Sequence, residues 1–478
     1  MRRSSGSRRG VIHMPVVAAV ILGAIGCGSG ENTSTPYLVA DLAPGKASSY
    51  PSYPIAVGNR VYFHGSTGEQ GGLCVTDGTA AGTRLLARVG LSTEYGTIGS
   101  TLFFSATDDE HGNELWKTDG TPAGTVLVAD INPGGFPEGS LVFRGNSFPA
   151  DFTEVNGTLF FTACDGVHGW ELWRTDGTAS GTYMVRDIDP RPLRGDATHD
   201  GCSDGQSTRP RQLRAVNGRL CFFVDDQFQS QQLWTSDGTP EGTVMLKEVV
   251  PPPSFPVPPS GFAPVNTVTT LGGTLFFAAG KLWKSDGSSE GTAPFSPASG
   301  SFSFLTPGRS LLFFAGPGGL WKSDGTSSGT SLVKEISFAT SIRFNNRLSD
   351  LETVGDRIFF TAFIPGLNKF ELWTSEGTPD GTYPLGIGPE PAGSEPASLI
   401  AANGRLYFTA LDRDHGRQLW RSDGSLAGTS RLTAFTTGVA PGSDPRFPGD
   451  DMASTGRLLF FPADDGVHGR ELWALRID

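Results

Sequence analysis

Glu171-Leu172-Trp173-Arg174-Thr175-Asp176-Gly177-Thr178, with Gly181-Thr182 shortly after it, decides the fold, because the rest of the chain repeats it. Trp116, Trp173, Trp234, Trp283, Trp321, Trp373, Trp420 and Trp473 each follow a Leu. Cys74 holds the same place in a degenerate first copy, Leu73-Cys74-Val75-Thr76-Asp77-Gly78-Thr79. In eight copies an acidic residue is followed five positions later by Gly-Thr: Asp77/Gly82, Asp119/Gly124, Asp176/Gly181, Asp237/Gly242, Asp286/Gly291, Asp324/Gly329, Glu376/Gly381 and Asp423/Gly428. An offset that does not vary marks a fixed turn and not a chance of composition. Repetition on this scale overrides any domain count drawn from length alone.

Around the quoted stretch each unit reads as four short strands. In the third copy, strand a covers 152–155 and ends at Asn156-Gly157, a tight hairpin signal. Strand b (158–163) carries Leu-Phe-Phe, strand c (171–175) carries the Trp, and strand d follows the Asp-Gly-Thr turn. A unit of about 49 residues with four strands fits the propeller range of repeats. One such sheet cannot bury both of its faces, so neighbours must stack, and a closed ring leaves no end exposed. The sequence therefore predicts an all-β fold, a β-propeller of about nine four-stranded blades closed by an N-terminal strand. Two smaller propellers or an open β solenoid are the alternatives. Closure is expected because the last copy stops after strand c, while Leu38-Val39-Ala40-Asp41-Leu42-Ala43-Pro44-Gly45 matches strand d of copy two, Leu127-Val128-Ala129-Asp130-Ile131-Asn132-Pro133-Gly134. Residues 37–42 are expected to complete the ninth blade.

These copies resemble the bacterial ELWxxDGT-repeat proteins over nearly the whole chain after residue 36. The resemblance implies an exported or surface protein with propeller-type repeats, and it says little about activity. Glu376 departs from the Asp of the motif, Ser288 and Ser425 replace the Thr, and the ninth copy ends before any Asp-Gly-Thr.

The N-terminus reads as a targeting segment. Arg2, Arg3, Arg8 and Arg9 precede an apolar run from Val16 to Ile25, too short to span a bilayer. Ala24-Ile25-Gly26-Cys27 resembles a lipobox, which implies a signal peptide over 1–26, lipidation at Cys27, a Gly/Ser/Thr tether over 27–36 and a repeat domain over 37–478. The expected address is the cell envelope, as an outer-membrane lipoprotein or at the cell surface, with the membrane as partner through the lipid. Past the leader 33 basic residues face 49 acidic ones, which disfavours nucleic acid as a partner.

The repeated residues read as scaffold: one Trp per blade packs between sheets, and Asp119, Asp176, Asp237 and Asp324 stand for the Asp that caps each turn. Calcium is the alternative there, although one Asp per turn supplies few of the six or more oxygens it needs. Function is sought where copies differ. The b–c loops of copies two, three, eight and nine carry Asp108, Asp109 and His111; Asp165 and His168; Asp412, Asp414 and His415; Asp464, Asp465 and His468. In a closed ring they form one arc, on the same face as the long d–a insertions at 132–151, 189–211 and 250–264. Trp170 breaks the repeat and is a ligand-facing candidate. Cys164 and Cys202 share that face and are expected to form a disulfide, whereas Cys74 and Cys221 replace core aromatics and read as buried thiols. No CxxC, HExxH or Walker-type pattern appears, and no confident metal set. The expectation is a non-enzymatic binding or adhesion scaffold for a protein or glycan, with no cofactor. An outer-membrane assembly lipoprotein is the alternative, and a propeller enzyme (glycosidase, lyase or quinoprotein) the third reading. An enzyme requires Arg, Tyr and carboxylates converging in a polar funnel.

Overall fold

The computed structural model describes residues 35–68, 71–138, 141–190, 202, 209–225, 230–251, 265, 267–296, 300–336, 351–364, 369–387, 394–435 and 452–477. The expected leader, Cys27 and most of the expected tether lie outside them, as do parts of all three long insertions. The described residues contain strands and turns and no helix.

The structure is a nine-bladed β-propeller. Each blade is a four-stranded antiparallel sheet in the order a-b-c-d. Blade three runs Ala150–Val155, Thr158–Cys164, Trp170–Thr175 and Tyr183–Arg186. A separate two-stranded hairpin, Gly135–Glu138 with Leu141–Arg144, decorates the connection between blades two and three. The first strands face the centre of the ring. Those of blades two and three, three and four, four and five, and onward to eight touch in succession, and that of blade nine touches that of blade one.

Apolar burial explains why blades stack. The Leu-Phe-Phe core of strand b is almost wholly buried, with Leu159, Phe161, Phe222, Phe277, Phe314 and Phe408 at 0% exposure. These side chains do not form one central core. They divide into nine clusters, each built from two adjacent blades. The repeated Trp lies directly across from the second Phe of strand b, as in Phe222/Trp234, Phe277/Trp283 and Phe408/Trp420, and stacks on it. Each of the eight packs against the cluster shared with the preceding blade.

The ninth cluster closes the ring, joining Phe460, Leu472 and Ala474 of blade nine to Val61, Phe63 and Cys74 of blade one, with Val39 among them. Tyr37–Leu38 is the outer strand of blade nine, paired with Ala474 and Trp473 of Arg470–Arg476, and the Val39 N–H adds a bond to the Leu472 carbonyl at 3.0 Å. The pairing is two residues long where the repeat suggested six.

Candidate functional site

Two strand crossings separate the b–c loops from the d–a connections, so both emerge on one face, here called the upper face. Every sequence-derived candidate there has a defined place, and most have an internal partner.

The Asp-His loops are self-contained turns. Asp165 accepts the backbone N–H of Val167 and His168 at 2.9 and 2.7 Å, and its second oxygen meets His168 Nδ1 at 2.6 Å. Asp108 with His111 and Asp465 with His468 repeat the arrangement. Asp412 pairs with His415 and also with Arg431 at 2.9 Å. Asp464 accepts the Gly466 N–H, while Asp109 and Asp414 are exposed loop residues. Each loop is thus locked by its own Asp, and no group of three His, Cys, Asp or Glu side chains suited to a metal is found among the described residues.

The Asp-Gly-Thr turns on the lower face are equally closed. In blade three the Thr178 N–H and hydroxyl donate to Asp176 Oδ1 at 2.8 and 2.7 Å, the Gly181 N–H donates to Thr178 Oγ1, and Thr182 Oγ1 donates to the Thr178 carbonyl. Asp119, Asp237 and Asp324 repeat the Asp-centred bonds. The Thr hydroxyl bond, with the backbone bond behind it, holds these carboxyls below the usual range. The constant offset has a steric cause: a Cβ on Gly181 would lie 2.1 Å from Asp176 Oδ1.

The Glu that opens the motif does work that sequence reasoning missed. Glu114 and Glu171 are 0% and 1% exposed. Glu114 accepts the N–H groups of Ile131, Asn132 and Ser147 and the Ser147 hydroxyl, fastening the d–a connection to strand c. Glu171 accepts Ile188 and Asp189 N–H, and Glu471 takes the Leu42, Ala43 and Ser49 N–H groups and the Ser49 hydroxyl. Burial pushes the carboxyls up, to about 7 for Glu114 and about 8 for Glu171. Their recurrence at a strand position that a sheet normally keeps apolar was the available signal.

A disulfide joins Cys164 to Cys202 with their Cα atoms 5.8 Å apart. Cys74 and Cys221 are buried free thiols, and burial raises them to about 12 and about 11. Trp170 is built into the same junction. Its Nε1 donates to the Cys202 carbonyl at 3.0 Å, Phe148 stacks near it, and the Arg209 guanidinium lies over its ring at 3.8 Å. Its face is therefore occupied from within, and the group it offers outward is Arg209.

Beside Arg209 the structure gathers polar residues that the repeat pattern did not single out. Strand a carries a bulge at its upper end in blades one, three, four, six and eight, with Tyr53, Asp151, Gln212, Phe304 and Ser398 at φ of 54°, 57°, 55°, 59° and 54°. The bulge is a feature of the blade; what it presents differs from blade to blade. In blades three and four it presents Asp151 and Gln212. The Asp151 N–H donates to Glu94 of blade two at 3.1 Å. Burial lowers the pKa of Arg209 and Arg214, and the charge of Asp151, with Glu94 in the case of Arg209, opposes that shift. Among the described residues Gln212 Oε1 is buried without a partner. Arg, carboxylate and amide groups thus stand at the upper ends of blades two to four.

The letters Gly-x-Ser-x-Gly occur at Gly201–Gly205, Gly287–Gly291 and Gly325–Gly329. The first lies outside the described residues except Cys202. The other two are c–d turns joining strand to strand, with no helix behind the serine as a nucleophile elbow needs. The Ser289 hydroxyl donates to the Leu246 carbonyl at 3.1 Å.

No protein-family model and no curated protein matches the chain. Among solved structures, puromycin hydrolase is 16% identical with a TM-score of 0.37, over 80% of this chain and 61% of its own. A prolyl endopeptidase is 10% identical, TM-score 0.41, over 80% of this chain and 50% of its own. The β-propeller domain of the trilobed protease from Pyrococcus furiosus is 11% identical, TM-score 0.33, over 72% of this chain and 98% of its own. The chain spans about 60% of puromycin hydrolase and half of the endopeptidase. These neighbours correct the expectation of a non-enzymatic scaffold and the reading that the chain is no enzyme: propellers similar to this one occur in peptidases, and both statements are withdrawn. At such identities the likeness concerns the fold and assigns this chain no activity.

Proposed function

We propose that this chain is an exported, lipid-anchored propeller that captures a small polar ligand at the upper mouth of its ring, over blades two to four. One observation carries the reading. Asp151 and Gln212 occupy equivalent bulges of adjacent inner strands, each in left-handed backbone that costs a non-glycine residue on the order of 1 kcal/mol. Among the described residues the Asp151 carboxylate has no hydrogen bond or ion pair, and the Gln212 carbonyl oxygen is buried and unpartnered. Buried acceptors are normally satisfied, so the Gln212 oxygen left open, with the half-buried Asp151 carboxylate on the next inner strand, reads as a place for a ligand's donors.

A thermal-shift screen of polar metabolites tests it, run on the wild type, Asp151→Gly and Gln212→Gly. Glycine adopts the left-handed backbone of both positions without steric strain, so the unliganded melting temperatures should stay close to that of the wild type. A ligand at 100 times its Kd should stabilise the wild type by about 2.7 kcal/mol and neither variant. A shift that survives both substitutions, or none across the screen, removes the reading. The anchoring half has its own measurement: incorporation of labelled palmitate that ceases in Cys27→Ser. Label retained in that variant would reject lipidation at Cys27.

A further inference from the structure

Three residues before each bulge of strand a stand Tyr50 in blade one, Phe148 in blade three, Arg209 in blade four, Ser301 in blade six and Glu395 in blade eight, and all five are exposed on the upper face. The backbone beneath them is fixed where the side chains differ. The buried Ser49, Ser147 and Ser394, which precede three of them, accept a strand b N–H of their own blade at 2.8, 3.0 and 2.7 Å. Their hydroxyls donate to the buried Glu471, Glu114 and Glu371 of the preceding blade. Tyr50, Phe148 and Glu395 are thereby held in left-handed backbone, at φ of 48°, 46° and 41°. A side chain that changes on a frame that does not is how a scaffold sets what it recognises.

In blades three and four two of these side chains share one neighbour. Trp170 stacks with the Phe148 ring at 6.4 Å and 21°, and the Arg209 guanidinium lies 3.8 Å from the centroid of the indole. The indole is itself fixed, since its Nε1 donates to the Cys202 carbonyl and Cys202 is bound to Cys164 of strand b. At 3.8 Å the guanidinium turns its face to the ring, because set on edge it would drive a nitrogen into it. That contact covers one face and leaves the N–H edge for an acceptor. Among the described residues this edge has no hydrogen bond or ion pair. Other arginines of this acidic chain are paired, Arg211 with Asp225 at 2.8 and 3.0 Å and Arg431 with Asp412 at 2.9 Å. What the junction offers outward is one oriented cationic fork and one aromatic ring, Phe148, at 40% exposure.

We propose that this ledge binds a small carboxylic acid with an aromatic body, its carboxylate on the edge of Arg209 and its ring on Phe148. Asp151 and Gln212 are not needed for it. Phe148 and Arg209 both touch one indole, so a ligand the size of phenylpropionate spans them. A bare anion would use the guanidinium alone, whose charge Asp151 and Glu94 partly offset. A neutral aromatic would use the ring alone. The planar fork suits the two oxygens of a carboxylate, which it can meet with two parallel bonds.

The experiment is calorimetric titration of the full chain with 3-phenylpropionate, its amide, and propionate. The aromatic acid should bind, and the amide and propionate should each bind weaker by about tenfold or more, the loss expected for one charge-assisted bond or one ring contact. Arg209→Gln should bind the acid and the amide alike, while Arg209→Lys keeps the charge without the fork and so part of the preference for the acid. Phe148→Gly, which suits the left-handed backbone, should bind phenylpropionate and propionate alike. A merely structural role of either residue would lower the affinity for all three probes together, and that result overturns the proposal. So does an absence of binding by any probe, an amide that binds the wild type as well as the acid, or a preference for the acid that survives Arg209→Gln.

Discussion

The motif uses nearly every one of its letters, and the Glu shows how. A carboxyl that burial pushes up is protonated more readily in the fold than in the unfolded chain. The unfolded state then binds fewer protons across the interval between the two values, so stability falls as pH rises through it. For Glu171 that interval runs from 4.5 to about 8, and for Glu114 from 4.5 to about 7. His111 and His168 act in the same direction: their Asp partners raise them, so the stability they add is present below 6.5 and lost above it. The Asp residues of the c–d turns work oppositely, being held low, and their contribution disappears only as pH falls below the ordinary 3.8. The melting temperature should therefore peak in mildly acidic solution and decline toward pH 8. Blade eight already shows a neutral substitute, since Gln418 stands where blades two, three, seven and nine have Glu and accepts the Phe435 N–H at 3.1 Å and the Thr433 hydroxyl at 2.8 Å. Glu171→Gln should leave the melting temperature near pH 5 within a few degrees of the wild type and flatten the decline above it. A decline as steep as the wild type's, read by calorimetry from pH 5 to 8, would show that this carboxyl is not its source.

At the scale of the strand and turn, the sequence was readable wherever it repeats. Asp-Gly-Thr with Gly-Thr at a fixed distance could only be a fixed turn, and the structure supplies the reason in the bonds to Asp176 and the space that Gly181 leaves for its carboxylate. Leu-Phe-Phe announced strand b, and Trp opposite the second Phe announced strand c. What stayed hidden has no sequence period of its own. The bulge in strand a moves Asp151 and Gln212 into left-handed backbone without any glycine to betray it. Arg209 sits at the end of an insertion whose length hides its nearness to Trp170. The Asp-His loops show what a repeated polar pair does for the blade. Asp and His recur in them because the side chains complete a turn, as the bonds from Asp165 to Val167 and His168 show. Repeated polar letters served the blade, and the unrepeated ones gathered at the mouth.

For the whole molecule, the decisive element is the closure of blade nine, because a ring of blades bound pairwise is only as complete as its last interface. Eight of the nine apolar clusters join blades that are neighbours in sequence, whereas the ninth joins the two ends of the chain. Tyr37–Leu38 pairs with Ala474 and Trp473, Val39 and Ala43 are buried at 2% and 1% exposure, and Glu471 clamps Leu42, Ala43 and Ser49. Removing residues 37–49 would take away a strand, the three buried side chains of Val39, Ala43 and Ser49, and the partners of a buried carboxylate, which would then be left uncompensated. Costs of this kind run to about 3–5 kcal/mol for a buried charge that loses its partners. Each remaining cluster would still hold its own two blades, so unfolding should lose cooperativity as well as stability, as in linear repeat arrays. Calorimetry of the truncated chain should show a melting temperature several degrees lower and a transition broader than the two-state width, with opening starting between blades nine and one. Hydrogen exchange should be fastest in Arg470–Arg476 and Arg60–Ser66, the strands on either side of that seam. A truncated chain that melts at the wild-type temperature in one sharp transition would mean that the ring does not depend on its N-terminal strand.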